Sequence, residues 1–293
     1  MITLLGSTGY VGAAIAKRLS VLDLPFRTVR WSEIQDVDAA TLATIIDDTG
    51  CDFVINSAGY TGKPNVDACE TDKANCLHGN AVFPGILRSA CEMIDKPFGQ
   101  VSSGCIFTGA HDDGSGFTEE EAPNFSFRTD NCSFYSGSKA LGEEVLADCE
   151  TCYVWRLRIP FNEVDSSRNY LSKVQRYDRL LEATNSLSHL DDFAAACIQS
   201  WTDHIPFGVY NVTNTGSVTT RQVTELISRY LPRDRPFEFF DDEDDFMVKA
   251  AKTPRSNCIL DNSKIIAAGI PLRPVEDAIV DALQQWQPET VAV

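Results

Sequence analysis

The chain has 293 residues, 43% hydrophobic and 23% charged, the composition of an ordinary globular protein with room for one large core or two coupled lobes. With 42 Asp and Glu against 25 Lys and Arg its formal net charge is −17, a field that repels polyanions, so nucleic acid and anionic membranes are excluded as partners. No apolar run reaches the length of a bilayer span, and Met1 leads straight into an apolar strand with no charged region or cleavage site before it, so a cytoplasmic location is expected.

Ile2–Leu5 reads as a strand, and Val11–Leu22 as a helix with Val11, Ile15, Leu19 and Leu22 on its apolar face. Phe26–Val29 is a second strand, Leu42–Asp48 a helix and Phe53–Ser57 a third strand. A long helical stretch is expected over Asp67–Ile94, bent or broken at Pro84. Strands at Gly99–Ser103 and Tyr153–Ile159 flank a helix at Tyr135–Cys149. This alternation predicts an α/β fold: a doubly wound parallel sheet of the Rossmann type, with helices on both faces.

Beyond about residue 160 the alternation loosens. Helical patterns occur at Tyr170–Ala183, Asp191–Trp201, Thr220–Tyr230 and Glu276–Trp286, and strand patterns at Val209–Val212 and Phe237–Phe240. The acidic run Asp241–Asp245 reads as an exposed helix start. We expect residues 1–160 to form a dinucleotide-binding domain. Residues 161–293 should form mainly a smaller substrate-binding lobe, some of whose segments return to the sheet, with ligands in the cleft between. The 10 cysteines do not read as a disulfide framework. Cys149 and Cys152 have CxxC spacing but no second Cys/His pair at a zinc-like distance, so reduced thiols and no metal site are expected.

Gly6-Ser7-Thr8-Gly9-Tyr10-Val11-Gly12 follows the first strand and opens the first helix. Glycines there permit a tight turn, close approach of a pyrophosphate and close helix–strand packing, and the helix N-terminus favours the negative charge. A basic residue at the end of the second strand prefers the 2′-phosphate of NADP. Arg30 is the residue for that contact, which makes NADPH the expected cofactor and NADH the alternative.

Tyr135 and Lys139 lie four apart, one helical turn, on one face. That spacing suits a tyrosine acting as general acid toward a carbonyl, its pKa lowered from about 10 by the neighbouring ammonium. Ser103, at the carboxyl end of its strand, is placed to hydrogen-bond the same carbonyl oxygen. His78, His111, His189 and His204 lie outside these motifs and take no catalytic role.

With the glycine-rich start, the Tyr135/Lys139 pair and the upstream serine, the chain resembles the extended short-chain dehydrogenase/reductases. Within them it resembles the dTDP-4-dehydrorhamnose reductases, and more closely the UDP-4-keto-6-deoxy-glucose 3,5-epimerase/4-reductases of UDP-rhamnose synthesis. The segments that carry this are Asn56–Asp67, Gly104-Cys105-Ile106-Phe107, Pro123-Asn124-Phe125, Ser133–Ser136 and Thr253–Asn257, in the family's order along nearly the whole chain. Extra residues between Phe125 and Ser133, and a divergent second-strand region, depart from the pattern.

The resemblance implies NADPH held by Gly6, Thr8, Gly9, Tyr10, Val11, Gly12, Arg30, Ala58, Tyr60 and Lys139. It implies a nucleotide-sugar substrate held by Lys63, Asn65, Asn169 and Arg255, and leaves a homodimer open. Ser103, Tyr135 and Lys139 would carry the reduction. Cys105 and Lys173 would form a second acid/base set for epimerisation at the carbons flanking the ketone, with Cys105 as a base near a cation and Lys173 supplying the proton from the other face. Arg176 and Arg179 share the Lys173 segment and would add positive charge. The expected function is an epimerase/reductase yielding the L-rhamnose form, as a UDP sugar by resemblance alone. A 4-keto reductase without epimerase activity and a non-catalytic NADP-binding regulator are the alternatives.

Overall fold

This computed structural model describes every residue except 64, 233–234 and 289–293, so Pro64 of the family-like stretch lies outside the described residues. The strands in chain order are β1 (Ile2–Leu5), β2 (Phe26–Val29), β3 (Phe53–Asn56), β4 (Phe98–Ser103), β5 (Cys152–Leu157), β6 (Pro160–Phe161), β7 (Thr184–Asn185), β8 (Ser188–His189), β9 (Gly208–Asn211) and β10 (Val218–Thr219). The helices are α1 (Tyr10–Val21), α2 (Trp31–Ile34), α3 (Ala39–Asp47), α4 (Lys73–Leu77), α5 (Phe83–Met93), α6 (Phe134–Glu144), α7 (Tyr170–Arg176), α8 (Leu190–Thr202), α9 (Thr220–Tyr230), α10 (Glu243–Lys249), α11 (Ser263–Ala267) and α12 (Val275–Gln284).

Six strands form one parallel sheet in the order β2-β1-β3-β4-β5-β9. Both faces are covered, which is why the strands read as nearly unbroken apolar runs. Ile2, Leu4, Phe53, Ile55, Tyr153 and Trp155 turn to one face and pack with Ile15 and Leu19 of α1 and Phe193 and Cys197 of α8. Their neighbours Leu5, Val54, Cys152 and Val154 turn to the other and meet Leu42 and Ile46 of α3 and Phe83 and Leu87 of α5. That alternation is the two-residue period of a strand. A third cluster, with Phe161, Leu171, Val223 and Ile279, holds the second half of the chain together. No helix among the described residues is long and apolar enough to cross a membrane.

Three expected elements come out differently. The stretch Asp67–Ile94 is a 3₁₀ turn at Val66–Glu70, then α4, a π-helical turn at His78–Val82, and α5. Pro84 sits in the first turn of α5 and has no N–H for the carbonyl of Asn80 four residues back, so the turn before it widens. Gly142 of α6 closes on that carbonyl, so tightly that a Cβ there would lie 2.0 Å from the oxygen. The helix expected over Tyr170–Ala183 ends at Arg176, because Leu180 is drawn into a bridge with Phe239. For the same reason Phe237–Phe240 makes a single bridge and no strand. The acidic run opens α10, with Asp242 capping it by accepting from the Asp245 N–H at 2.8 Å. The two-residue ladders β6–β8 and β7–β10 are too short to leave a periodic pattern.

Candidate active site

The first two strands lie to one side of the point where the chain reverses across the sheet, between β1 and β3. Loops leaving their carboxyl ends diverge there and open a crevice. Gly6, at φ +78°, turns the chain under the loop after β3; a Cβ on it would lie 2.5 Å from the Ala58 backbone nitrogen. Gly12 lies beneath, where a Cβ would meet the Gly6 carbonyl at 2.1 Å. Gly9 caps α1 without a side-chain acceptor, leaving the first-turn N–H groups for an anion. This cradle fits a dinucleotide pyrophosphate.

Two cavities flank the cradle. One of about 420 Å³ is lined by Gly6, Thr8, Gly9, Ala58 and Tyr60, with Trp31, Gln35 and Asp36 from beyond β2. The other, about 570 Å³, is lined by Gly9, Tyr10, Val11, Ala58, Asn65, Ser103, Tyr135, Lys139, Lys173 and Arg255, among others. A third space of about 380 Å³ adjoins it, sharing Ser103, Tyr135, Lys173 and Arg255 and adding Cys105, Arg158 and Arg179. The sequence-predicted residues from β4, α6, α7 and the 253–257 segment thus meet around one void.

The position of α6 is fixed from below. Buried Arg156 on β5 grips Glu143 with Nε at 3.0 Å and Nη2 at 2.7 Å from Oε2, and the Ser102 hydroxyl donates to Glu143 Oε1 at 2.6 Å. The Ser133 hydroxyl caps the helix, accepting from the Ser136 N–H. Tyr135 and Lys139 then face the cavity. Burial raises the Tyr135 phenol well above its ordinary value, opposite to the lowering expected from Lys139, while the Ser103 hydroxyl pulls it back; Lys139 is lowered, again by burial. Gly59 leaves room for the ammonium, since a Cβ there would lie 3.2 Å from Lys139 Nζ.

Ser103 ends β4 and its hydroxyl accepts from the Cys105 N–H at 3.2 Å, starting a 3₁₀ turn at Gly104–Ile106. Burial raises the Cys105 thiol, against the pull of Ser103 and Arg158, so the resting group is a thiol. Lys173 is lowered by burial and then by the Arg168 cation, which favours the free amine. These directions favour the thiol at Cys105 and the amine at Lys173, whereas the roles drawn from sequence call for a thiolate base and an ammonium donor.

Arg255 lines the second and third spaces and holds Asp67 in a fork, Nη1–Oδ1 at 2.6 Å and Nη2–Oδ2 at 2.8 Å. Asn65 faces the void but its Oδ1 accepts from the Asp67 N–H at 2.9 Å. Other predicted residues stand apart. Asn169 is buried and spent on its own loop, capping α7 and donating to the carbonyls of Asn162 and Val164, both at 2.8 Å. Lys63 is exposed, and Arg30 is exposed just past β2, donating its backbone N–H to Glu33. Arg179 lines the third space, whereas Arg176 pairs with Asp165 at 2.9 Å. All 10 cysteines are free thiols.

Sequence reasoning missed Arg158 and Arg168. Arg168 donates to the Thr61 hydroxyl at 2.9 Å and the Gly62 carbonyl at 3.0 Å, pinning the loop after β3. The signal for Arg158 was present: Arg156-Leu157-Arg158 puts two guanidiniums at the end of an apolar strand, which is costly unless they have work there.

The chain is 30% identical over 280 residues to a trifunctional UDP-glucose 4,6-dehydratase/UDP-4-keto-6-deoxy-D-glucose 3,5-epimerase/UDP-4-keto-L-rhamnose-reductase of Arabidopsis thaliana. That match covers 94% of this chain and 40% of the relative, so the chain spans less than half that protein's length. It is 29% identical over 280 residues to a bifunctional dTDP-4-dehydrorhamnose 3,5-epimerase/dTDP-4-dehydrorhamnose reductase of the same plant, over 94% of this chain and 89% of that one. In fold it is similar to the L780 UDP-rhamnose synthase of Acanthamoeba polyphaga mimivirus, with a TM-score of 0.87 and 23% identity over 97% of this chain and 99% of that one. A dTDP-4-dehydrorhamnose reductase from Bacillus anthracis, solved in complex with NADP, gives 0.79 and 16% over 97% of both chains. The RmlD substrate binding domain family matches residues 1–287, and the chain belongs to that family.

Proposed function

We propose that the chain is an NADPH-dependent 3,5-epimerase/4-reductase that converts a nucleotide-linked 4-keto-6-deoxy-glucose, with UDP as the carrier, to its L-rhamnose form. The observation that carries this reading is the shared void: Ser103, Tyr135 and Lys139 on one side, Cys105 and Lys173 on its extension. The glycine cradle and the uncapped start of α1 support a dinucleotide, and NADPH would supply the hydride for C4 of the sugar. Arg30 is our candidate for its 2′-phosphate.

Reduction needs a proton at O4. Tyr135, kept as a phenol by burial, is in the form that donates it, and the Ser103 hydroxyl shares the oxygen. Lys139, one turn along α6, stabilises the phenolate left behind. Epimerisation needs protons moved at the two carbons beside the ketone. The Lys173 amine takes a proton, Ser103 and Tyr135 hold the enolate oxygen, and the Cys105 thiol returns a proton. Arg255 suits the diphosphate, because its fork can bind two oxygens once it shares or releases Asp67.

Proton NMR of the protein with UDP-4-keto-6-deoxy-glucose in D2O tests this, first without cofactor and then with NADPH. Deuterium at C3 and C5 before NADPH, and UDP-rhamnose after it, is the expected result. Reduction without exchange would leave a reductase alone. No reaction in either tube would overturn the reading.

A further inference from the structure

Arg158 is an anomaly in this cavity wall. It is 5% exposed, and no carboxylate among the described residues pairs with it. Its Nη2 donates to Asn185 Oδ1 at 2.6 Å and to the Ser256 carbonyl, both uncharged, and its buried Nε has no partner. Arg156, two residues earlier, has the opposite arrangement, with Glu143 neutralising it. A buried cation with neutral partners is expensive to keep, because no opposite charge repays the desolvation of its own. Its presence therefore points to an anion that exists for only part of the catalytic cycle.

The sheet register says where that anion forms. In the β4–β5 ladder Ser103 lies beside Leu157, so the next residues, Gly104-Cys105 and Arg158, leave the sheet side by side. The two run in contact: a Cβ on Gly104 would lie at van der Waals distance, 3.5 Å, from Arg158 Cδ, so the arginine stem passes beside the turn that carries Cys105. Both residues line the same void. The other groups that face Cys105 are Tyr135 and Lys139 from α6, Ser136 beside them, and the Cys132 thiol before that helix. Cys258 donates to the Gly104 carbonyl at 3.2 Å from behind, and Lys173 and Tyr170 close the void from α7. Lys139 is the other cation that acts on the Cys105 thiol, and its pull is smaller than that of Arg158. A substrate diphosphate has Arg255 and Arg168 at the wider first void.

We propose that Arg158 is a positioning residue whose guanidinium is the counter-charge for the Cys105 thiolate formed during epimerisation. This deepens, and rests on, the epimerase reading. In the step, the sugar C–H breaks as an N–H bond forms on Lys173, its electron pair passing to the enolate oxygen. The Cys105 S–H then breaks as a new C–H forms, and the enolate returns to the ketone. A thiolate and an ammonium remain, and solvent carries the proton from Lys173 back to sulfur. No oxidant or reductant is consumed. Arg158 acts on one intermediate state of this cycle, the thiolate.

The test is the pH profile of Cys105 alkylation by iodoacetamide, read by peptide mass spectrometry on the full chain. Wild type, Arg158→Met and Arg158→Lys are compared, with NADPH binding as the control for an intact cradle. A neighbouring opposite charge moves a titration by roughly 1–3 pH units. The midpoint should therefore rise by about that much in Arg158→Met and return most of the way in Arg158→Lys. Arg158→Met should fold and bind NADPH, and should slow C3/C5 deuterium exchange. An unchanged Cys105 midpoint in Arg158→Met overturns the proposal, and so does a variant that cannot fold, since the guanidinium would then be structural. Failures separate cleanly. A shifted midpoint with no deuterium uptake by wild type removes the epimerase reading and leaves the charge pair; uptake with an unshifted midpoint does the reverse.

Discussion

Tyr135 and Lys139 share one face of α6, and burial holds the phenol protonated, the form that the proposed proton donation needs. Replacing Tyr135 by Phe keeps the ring and removes only the hydroxyl. NADPH oxidation by the keto-sugar should fall about 10²–10⁴-fold, the usual worth of a positioned acid, while NADPH still binds by fluorescence titration. Lys173 carries a pH signature. Its pKa is depressed, so the amine that accepts a proton is populated at lower pH than for a solvated lysine, whose value is about 10.4. Deuterium exchange should rise with pH and level off below that value, and Lys173→Gln should be about 10²-fold slower across the range. A wild-type profile that kept climbing through pH 10 would argue against Lys173 as the base. That Tyr135, Lys139, Ser103, Cys105 and Lys173 would lie around adjoining spaces was legible from the Tyr135/Lys139 spacing, the strand end at Ser103 and the family resemblance. Arg255 was legible as a residue, but its fork with Asp67, 188 positions away, was not. Arg158 and Asn169 show the same limit, since what a polar side chain does depends on partners that spacing along the chain does not reveal.

At the scale of elements, the sheet and its covering helices followed from periodicity, with β2 and α9 at their expected bounds. What could not be read were breaks set by tertiary contact. The π-helical turn before α5 is one: Pro84 frees the Asn80 carbonyl, and Gly142 of α6 is the only residue type that lets the helix approach it. The Asn80 side chain is also tied in, accepting from the Tyr60 N–H at 3.0 Å and donating to the Ser138 hydroxyl at 3.0 Å, so this contact holds the cofactor loop and α6 together. Gly142→Ala should therefore overpack the joint and destabilise by roughly 1–3 kcal/mol. Alanine is otherwise the better helix former, by about 1 kcal/mol, so the sign of the change decides whether packing or propensity governs here. A lower melting temperature in calorimetry with weaker NADPH binding is the expected result. A higher one would mean that α6 shifts freely.

The molecule as a whole carries a net charge of −17 yet gathers Arg158, Arg168 and Arg255 around two adjoining spaces. Concentrating cations there leaves the rest of the surface more negative still. Several of its ion pairs, such as Arg128–Glu144 and Arg235–Asp178, are exposed on at least one side and are each worth no more than about 1 kcal/mol. Repulsion among unpaired carboxylates outweighs them, and it acts over distances that salt screens. Raising NaCl from about 0.1 M to 1 M shortens the Debye length from roughly 10 Å to 3 Å, so the melting temperature should rise. The acidic start of α10 identifies the cause. Asp241 and Asp244 are exposed there, while Asp242 caps the helix and Asp245 pairs with Lys249 and Arg179. Asp241→Asn with Asp244→Asn should raise the low-salt melting temperature and narrow the gain on adding salt. If the melting temperature instead fell with salt, the ion pairs would be the dominant electrostatic effect. The cationic void would then be one part of a stabilising network and not an exception within a repulsive shell.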